Sequence, residues 1–250
     1  TYEKRAAYLF PSFEDGIAAC RDAVRKEATP AVLRLYDESE SKRSHGTDGT
    51  QCTLLVLDEG DQRLVDATMS IVDESARNHG AITGDVQLVE KWLHHRNDTS
   101  ALQALTKKGF VVDTMEIAAP WSTLPKIFNA TREAMLKVPH ARSSTCHLSH
   151  SYIDGACLYF TFAANPPADE VEKTYVALWD AGTRAVLANG GNLSHHHGVG
   201  MNRSRFVQEA LGSAFGVLVA MKNSLDPQGI LNPGKMGLPL PDYLEATQWP

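Results

Sequence analysis

The sequence predicts an α+β domain, an antiparallel sheet with helices on one face, built on a ferredoxin-like core that is either single or doubled. Three observations support this prediction. Short apolar strand segments alternate with amphipathic helical segments, in an order that repeats approximately along the chain. Ser143–Tyr152 and Gly155–Ala164 form a clear hairpin pattern, which requires antiparallel neighbours. No low-complexity linker divides the chain, so we expect one compact unit with a trailing segment.

The first half of the chain is predicted to run strand, helix, strand, strand, helix. Ser12 and Asp15 have the spacing of a capping box at the start of the first helix, and Gly80 follows the second. In order, the predicted elements are strand Ala6–Phe10, a helix through Ile17, Cys20, Val24 and Ala28, strand Ala31–Tyr36, a polar loop Ser39–Thr50, strand Cys52–Leu57 and helix Asp61–His79.

The second half repeats this order approximately. Its predicted elements are helix Gly84–Arg96, strand Phe110–Ala118, helix Trp121–Val138, the hairpin Ser143–Tyr152 with Gly155–Ala164, and the long helix Pro167–Ala188. Acidic residues at the start of that last helix favour its dipole, and the helix leads directly into a glycine-rich run.

The hairpin is expected to turn at Asp154-Gly155, a pair suited to the positive φ angles of a two-residue loop. That turn would pair Ile153 with Ala156 and Tyr152 with Cys157. Alternation predicts one polar face and one apolar face: His150, Tyr152, Tyr159 and Thr161 on the first, Leu158, Phe160 and Phe162 on the second. A polar face of this kind suits a lined active-site cavity or an ordinary solvated surface.

The composition argues against several classes of protein. The 250 residues are 43% hydrophobic and 22% charged, enough to bury one large core or two modest ones. A net charge of -6 without a long basic block argues against a nucleic-acid or membrane-surface binder. The four cysteines are widely spaced and form no C-x-x-C pair, so we expect a reducing compartment and no dithiol motif.

The ends of the chain carry little information about its compartment. No stretch reaches the roughly 18 apolar residues of a membrane-spanning helix, and no signal-peptide pattern opens the sequence. The chain begins at Thr1, and we expect a fragment of a longer protein. A bacterial source would imply the cytoplasm; the compartment is otherwise open, and a homodimer is one option for the assembly.

Three consecutive histidines lie in the run NGGNLSHHHGVG, which spans Asn189–Gly200. In an extended segment, His195 and His197 point to one side and His196 to the other. The run has no acidic residue and no H-x-x-x-H spacing, so no metal is predicted, although a zinc or iron site stays open. Acid/base or hydrogen-bonding work around a bound group is favoured over a merely solvated cluster.

Two other patterns carry alternatives. Arg34 interrupts an apolar strand, where alternation leaves it on an exposed edge or where its guanidinium clamps an anion. The segment LDPQGILNPGK, Leu225–Lys235, has an irregular path fixed by prolines and glycines. Such a path indicates docking against another surface or a plain C-terminal turn.

Five patches occur together and in a fixed order: PAVLRLYD, MEIAAPW, SYIDGACLYFTFA, LANGGNLSHHHGVG and LDPQGILNPGKMG. They resemble the C-terminal half of FAD-linked oxidases of the vanillyl-alcohol oxidase superfamily, above all the alkyldihydroxyacetonephosphate synthase branch. The resemblance covers nearly the whole chain. The strings GACLYF and SHHHGVG are the most specific, whereas DPxGILNPGK supports only the wider superfamily.

The resemblance implies the cap part of a two-part flavoenzyme. Residues 1–224 would form the cap and substrate domain, and residues 225–250 would return to an FAD-binding domain that holds most of the cofactor. That FAD-binding domain of the parent chain is the implied partner, together with a small-molecule or lipid-like substrate. The fragment alone is expected to be inactive.

The resemblance also assigns roles to single residues. Tyr152 matches the proposed acid/base residue, and the histidines surround the reacting flavin edge and substrate. The implied site residues are Tyr152, His195, His196 and His197 for catalysis, Arg34, His147 and His150 for substrate, and Arg34, His195, Asn232, Pro233 and Lys235 for the cofactor. The implied reaction exchanges an acyl chain for a long-chain alcohol through a flavin adduct, without net redox change.

One position departs from the synthase branch. That branch carries an arginine just upstream of its tyrosine, where this chain has His147. An FAD-linked oxidase or dehydrogenase of a 2-hydroxy acid or alcohol is therefore a rival, and a non-enzymatic ferredoxin-like binding domain is a third hypothesis.

Overall fold

Residues 2–98 and 100–244 are described by the structure, a computed structural model of the chain. The seven strands of this part are β1 (Tyr2–Phe10), β2 (Val32–Tyr36), β3 (Cys52–Gly60), β4 (Ile82–Thr83), β5 (Val111–Pro120), β6 (Ala141–Ser151) and β7 (Gly155–Ala164). Its ten α-helices are α1 (Phe13–Arg25), α2 (Glu38–His45), α3 (Gln62–Asn78), α4 (Gln87–His95), α5 (Ser100–Lys107), α6 (Leu124–Leu136), α7 (Val171–Ala188), α8 (Gly200–Ser204), α9 (Val207–Leu211) and α10 (Ala214–Leu225).

All seven strands form a single antiparallel sheet in the order β4-β1-β3-β2-β6-β7-β5. The predicted α+β class with an antiparallel sheet is therefore confirmed. The first four strands are connected in the order β1-α1-β2-α2-β3-α3-β4, which is a β-α-β-β-α-β path with helix α2 added between the second and third strands. β5, α6, β6, β7 and α7 repeat that path without a fourth strand. We interpret the sheet as one such unit followed by an incomplete copy.

The chain after α7 runs along the edge of β5 where a fourth strand would pair. The Asn192 amide donates to the Ala118 carbonyl at 3.0 Å, and the Asn192 side-chain oxygen accepts from the Ala118 amide at 2.8 Å. These two bonds satisfy backbone groups that an edge strand otherwise leaves unpaired. They also fix the start of the histidine run beside the sheet.

One face of the sheet is the main core. Helices α1, α3, α6 and α7 cover this face through their buried apolar residues. Leu35, Leu148 and Phe160, from three different strands, are fully buried in the resulting cluster. Because each such side chain stabilises the fold by roughly 1.5–3 kcal/mol, the helices are held firmly on this side.

The opposite face is only partly covered. Short helix α4 packs Leu88 and Val89 against Leu55 and Leu57, and so adds a small second core at the β1–β3 end. The β6, β7 and β5 end of this face carries polar side chains. We call this second side of the sheet the open face, because the candidate site lies there.

Helix α2 forms where the sequence predicted a polar loop. Its first turn is capped by Asp37, whose Oδ1 accepts from the Glu40 amide at 2.7 Å, and Gly46 ends it in the left-handed region. Asp37 Oδ2 accepts from the Cys146 amide at 2.7 Å, so the cap is also tied to β6. Burial raises the pKa of Asp37 to about 7. The loop prediction was wrong because a tertiary contact, not an apolar stripe, stabilises this helix.

The hairpin register also differs from the prediction. Cys157 lies opposite His150 and Ala156 opposite Ser151, with an irregularity between Leu148 and His150. The Tyr152 amide donates to the Gly155 carbonyl at 2.8 Å and closes the turn. The predicted partners Tyr152–Cys157 and Ile153–Ala156 are therefore wrong, whereas Leu158, Phe160 and Phe162 do face the core.

Gly155 is required for a different reason from the predicted positive φ. Its φ is not positive, but an added Cβ would lie 2.3 Å from the Ala119 carbonyl oxygen on β5. Close approach of two strands therefore selects glycine here.

Other boundaries shift by a few residues. The helix predicted over Gly84–Arg96 begins at Gln87, whose amide bonds to Asp85 at 2.9 Å, and the regular part of the last long helix begins at Val171. Within the described residues, no helix is both long and apolar enough to cross a bilayer.

We predict that His45, at the end of α2, makes stability sensitive to acid. Its ring packs 4.5 Å from the Tyr36 ring, its Nε2 is buried without a described partner, and burial lowers its pKa to about 4. The unfolded chain, with a pKa near 6.5, then binds more protons, so this stability is present above pH 6.5 and is lost toward pH 4. At pH 4.5 the loss amounts to roughly 2–3 kcal/mol, from 1.36 kcal/mol per pKa unit.

Urea unfolding at pH 7 and pH 4.5 checks this. His45→Phe, which keeps a ring against Tyr36, should lose less stability between the two pH values than the unsubstituted chain. His94→Phe, on the exposed side of α4, is the matched control. Equal acid losses in His45→Phe and the unsubstituted chain would contradict the assignment.

Candidate functional site

A buried carboxylate, Glu116 on β5, holds the histidine run in place. Its Oε1 accepts from the amides of His195 at 2.7 Å and His196 at 3.0 Å, and its Oε2 accepts from the Ser194 hydroxyl at 2.8 Å. The Glu116 side chain is fully buried. The Cys157 thiol also donates to Oε1, at 3.6 Å, so four donors converge on one charge that could not stay buried without them.

Hydrogen bonding decides the charge of Glu116. Burial by itself raises its pKa, but the bonds from Ser194, His196 and His195 outweigh burial, and the pKa lies below its ordinary value. The group is therefore a carboxylate at neutral pH. Its Oε1 also lies 3.2 Å from Nδ1 of His196.

A second buried charge, Arg203, holds the other end of the histidine run. Arg203 donates to the Gly198 carbonyl and to the Glu116 carbonyl, each at 3.3 Å, and its guanidinium lies 5.0 Å from the Trp179 ring centre. Burial lowers the pKa of Arg203. The chain from Ser194 to Gly198 is thus fixed to β5 at both ends.

The predicted catalytic residues lie together on the open face. The His195 ring is 5.3 Å from both the His150 and the Tyr152 rings, and the His196 ring is 4.8 Å from His150. His197 packs edge-on to Tyr159 at 5.4 Å. We call His150, Tyr152, His195, His196 and His197 the imidazole cluster.

His195 and His196 share a constraint on their protons. Their Nδ1 atoms are 3.0 Å apart, a hydrogen-bond distance, so one of the two must carry hydrogen and the other must accept it. The two rings therefore act as a coupled pair and not as independent groups.

The other two imidazoles favour their neutral forms. Burial lowers the pKa of His150, and the neighbouring side chains of His196, His195 and Arg34 act in the same direction. Burial also lowers the pKa of His197, and Glu116 offsets this only in part. At neutral pH both rings are therefore suited to accept a proton or a hydrogen bond.

Tyr152 is a half-exposed member of the cluster. Its carbonyl accepts from the Trp121 indole at 2.8 Å, which anchors its backbone at the hairpin turn. Its hydroxyl has no hydrogen-bond partner among the residues that the structure describes. The phenol is held next to His195 with its reactive end free.

Arg34 lies on the same face, at the junction of the two sheet halves. Its Nε donates to the Tyr36 hydroxyl at 3.1 Å, its Nη2 lies 2.7 Å from Nε2 of His147, and its guanidinium is 5.4 Å from the Trp92 ring centre. The His147 ring stacks on Tyr159 at 4.9 Å. Arg34 makes no ion pair with any described acidic residue, so its charge is available to an anion.

The C-terminal residues predicted for the cofactor lie elsewhere. Asn232 and Lys235 are exposed and Pro233 is partly buried, on a turn that follows Asp226. The Asp226 carboxylate orders this turn by accepting from the amides of Ile230 and Leu231 at 3.0 and 2.9 Å. Within residues 2–98 and 100–244, none of these three contacts the imidazole cluster; residues 245–250 of the predicted segment lie outside the description.

The turn approaches the histidine run on another side. A groove of about 440 Å³ separates them, and its wall runs from Gly191 to Val199, then along α9 to Met236. Mostly apolar atoms line the groove. It has room for an apolar group next to His195 and His196.

One set of side chains could bind a metal ion. His150, Cys157, His195 and His196 each place a ligand atom within 4.8 Å of the others, a set suited to zinc. Burial raises the pKa of the Cys157 thiol to about 12, so a metal would have to displace a tightly held proton. The absence of a metal stays a prediction.

Sequence reasoning missed Glu116 and Arg203. Glu116 lies within MEIAAPW between the apolar residues Met115 and Ile117, much as Arg34 lies between Leu33 and Leu35. That pattern could have marked it as a buried polar group. Its partners could not be identified, because they come from the run near residue 195.

Replacing Glu116 should weaken the fold and release the run. We expect Glu116→Ala to lower the free energy of unfolding by about 2–4 kcal/mol, because the amides of His195 and His196 lose a charged acceptor. Urea denaturation measures this. Glu133→Ala, an exposed carboxylate paired only with Lys137, should change it by less than about 0.5 kcal/mol. An equal change in the free energy of unfolding for the two substitutions would contradict the role of Glu116 in holding the histidine run.

Three relatives of known name are similar to this chain. It is 29% identical over 243 residues to "Uncharacterized FAD-linked oxidoreductase YgcU" of Escherichia coli O157:H7, covering 91% of this chain and 50% of that protein. It is 25% identical over 272 residues to "Alkyldihydroxyacetonephosphate synthase" of Trypanosoma brucei brucei, covering 96% and 44%. It is 24% identical over 201 residues to "Probable D-lactate dehydrogenase, mitochondrial" of Danio rerio, covering 78% and 38%. The chain thus spans about half the length of the first two relatives.

Solved structures agree on the fold. A structure of alkyldihydroxyacetonephosphate synthase matches with a TM-score of 0.67 and 21% identity, covering 93% of this chain and 44% of that one. A structure of 4-ethylphenol oxidase from Gulosibacter chungangensis matches with a TM-score of 0.69 and 13% identity, covering 98% and 55%. The family model "FAD linked oxidases, C-terminal domain" matches residues 1–236, and it confirms FAD as the expected cofactor. The chain belongs to the family of FAD-linked oxidase C-terminal domains.

Proposed function

We propose that this chain is the substrate-binding cap of an FAD-dependent enzyme of the alkyldihydroxyacetonephosphate synthase type, which exchanges an acyl chain for an alkyl chain. One observation carries the proposal. A phenol with a free hydroxyl, four imidazoles and an unpaired guanidinium lie on one continuous open face, with Tyr152 at one end and Arg34 at the other. An acid/base group beside an anion clamp is what a carbonyl substrate with a charged end requires.

The residues present suit a flavin next to this face. Gly198 and Gly200 have positive φ angles and open space around the position of a Cβ, so the backbone beside His197 can be approached closely. His195 lines the same groove as Gly198 and could donate to a bound group there. FAD supplies the electron sink when it is bound.

The side chains divide the remaining work. Tyr152 would hold or move the proton next to the substrate carbonyl, because its hydroxyl is free. His195 and His196, which share a hydrogen between their Nδ1 atoms, would accept or supply protons beside it as a coupled pair. Arg34, with His147 and His150, would orient the charged end of the substrate. The apolar groove near Met236 would receive a hydrophobic part.

The partner that we propose is the FAD-binding domain of the same parent chain. Helix α10 has no buried residue, and its Val217, Met221 and Leu225 are each more than half exposed. Such a helix needs a covering surface. Asn232, Pro233 and Lys235 follow directly, so they would meet the cofactor through that domain.

A flavin-linked oxidation of a 2-hydroxy acid or alcohol is the second candidate. Arg34 lies near the imidazole cluster and has no acidic partner among the described residues; its Nη2 donates to Nε2 of His147 at 2.7 Å. One cation matches one carboxylate better than a doubly charged phosphate. Steady flavin reduction by such a substrate, without chain exchange, would select this candidate.

The parent protein tests the proposal. It should bind FAD, visible as flavin absorbance, and should exchange acyl for alkyl chains. Tyr152→Phe should lower kcat by about 10²- to 10⁴-fold, because positioned proton transfer contributes that much, with FAD content unchanged. Tyr2→Phe, whose hydroxyl bonds Asp66 far from the cluster, is the control.

Two results would overturn the proposal. A parent protein without affinity for FAD would refute the flavoenzyme assignment. Full turnover in both Tyr152→Phe and His196→Ala would return these residues to structural roles.

A further inference from the structure

A chain of hydrogen bonds runs behind Arg34 into the protein. Nη2 of Arg34 lies 2.7 Å from Nε2 of His147, and Nδ1 of His147 lies 3.1 Å from Oε1 of Glu40. We propose that Glu40 and His147 are positioning residues, which fix the direction of the Arg34 guanidinium for an incoming anion. This inference rests on the anion clamp in the proposed function.

Donor and acceptor rules fix the direction of every bond in this chain. A guanidinium can only donate, so Nε2 of His147 must accept from Arg34. The imidazole hydrogen therefore sits on Nδ1, which donates to the Glu40 carboxylate. Glu40 selects this tautomer, because its charge favours a donor facing it. A change at Glu40 is thereby transmitted to Arg34 without direct contact.

The His147 ring, in the middle of this series of hydrogen bonds, is held in place. The His147 side chain is 9% exposed and that of Glu40 is 7% exposed. The His147 ring lies between the ring of Tyr159 at 4.9 Å and that of Tyr36 at 5.1 Å. These two packing contacts and the two hydrogen bonds hold the orientation of the ring, so the imidazole is a rigid spacer.

The carboxylate end is fixed as well. Oε2 of Glu40 accepts from the Thr145 hydroxyl at 3.2 Å, and Arg43 lies 3.7 Å from Oε1. Burial raises the pKa of Glu40, but the hydrogen bonds that its carboxylate accepts from His147 and Thr145, with the charge of Arg43, act against burial, and the pKa lies below its ordinary value. Glu40 is therefore a charged anchor whose oxygens are already engaged inside the protein.

Counting donors shows what remains for a ligand. Of the five N–H groups of Arg34, Nε uses one on the Tyr36 hydroxyl and Nη2 uses one on His147. Three are left, enough to bind two oxygens of one carboxylate or phosphate. Two neutral acceptors hold the guanidinium while its full charge stays free for the ligand. A carboxylate in direct contact would have neutralised it.

The experiment uses the full-length FAD-containing protein, with inorganic phosphate as the probe. Calorimetry gives the Kd for phosphate, and steady-state kinetics give kcat and KM for an anionic substrate. Arg34→Lys should weaken phosphate binding by about tenfold or more, because an ammonium cannot bind two oxygens as a fork. Glu133→Gln is the matched control for loss of a glutamate.

The two positioning residues have distinct expected effects. His147→Phe keeps the stacked ring but removes both hydrogen bonds, and should raise the phosphate Kd about three- to tenfold. Glu40→Leu should act similarly, and Glu40→Gln, whose amide oxygen can still accept from Nδ1, should act less. For all three, KM should rise while kcat and FAD content stay unchanged, a split that general loss of structure would not give.

The outcomes separate this inference from the proposed function. An unchanged phosphate Kd in Arg34→Lys would refute the anion clamp itself. Weakened binding in Arg34→Lys, with His147→Phe and Glu40→Leu binding as the unsubstituted protein does, would overturn only the positioning inference. If a variant fails to fold, the ¹⁵N shifts of the unsubstituted protein decide: hydrogen on Nδ1 of His147 supports the inference, and hydrogen on Nε2 overturns it.

Discussion

The carboxylate of Glu116 is the interaction on which the candidate site depends. A buried charge is costly unless donors surround it, and this one collects the donors of Ser194, His195 and His196. The requirement acts in both directions, because the run satisfies the charge and the charge fixes the run. A loop rich in glycine would otherwise sample many conformations. Strand β5, through Glu116, therefore fixes the positions of the imidazoles.

The second constraint is the junction of the two sheet halves. β2 and β6 pair only at Leu35 with Leu148 and Tyr36 with His147, yet this short contact makes the sheet continuous. It also sets Arg34 of the first half beside His147 of the second. Neither half contains the proposed site alone. The proposed anion-binding residue, Arg34, lies at the contact between β2 and β6. The proposed acid/base residues lie in the imidazole cluster.

The sequence was a good guide where burial sets the pattern, and a poor one where tertiary contacts do. Alternation in Gly155–Ala164 predicted which side chains enter the core, because one face of the strand is apolar throughout. The register failed, since a strand irregularity before His150 and the close approach of Ala119 to Gly155 depend on neighbouring strands. Helix α2 was missed because its cap, Asp37, bonds to β6.

The same division applies to the site. Clustering of Tyr152 with the histidines followed from recognisable motifs, and the structure brings these residues together. The partners of Glu116, Arg203 and Glu40 could not be predicted in this way, because the sequence does not disclose which groups will surround a buried charge. The sequence indicated the groups that face the open side, and the groups that hold them there required the fold.

The bonds between Asn192 and Ala118 have a consequence for solubility. A sheet that ends in a ten-residue strand offers a template for a strand from another molecule, and proteins usually shield such an edge with charge, proline or a bulge. Here the shield is the start of the histidine run itself. A sequence change that breaks the Asn192 bonds would therefore leave the backbone groups of Ala118 open to a strand from another molecule.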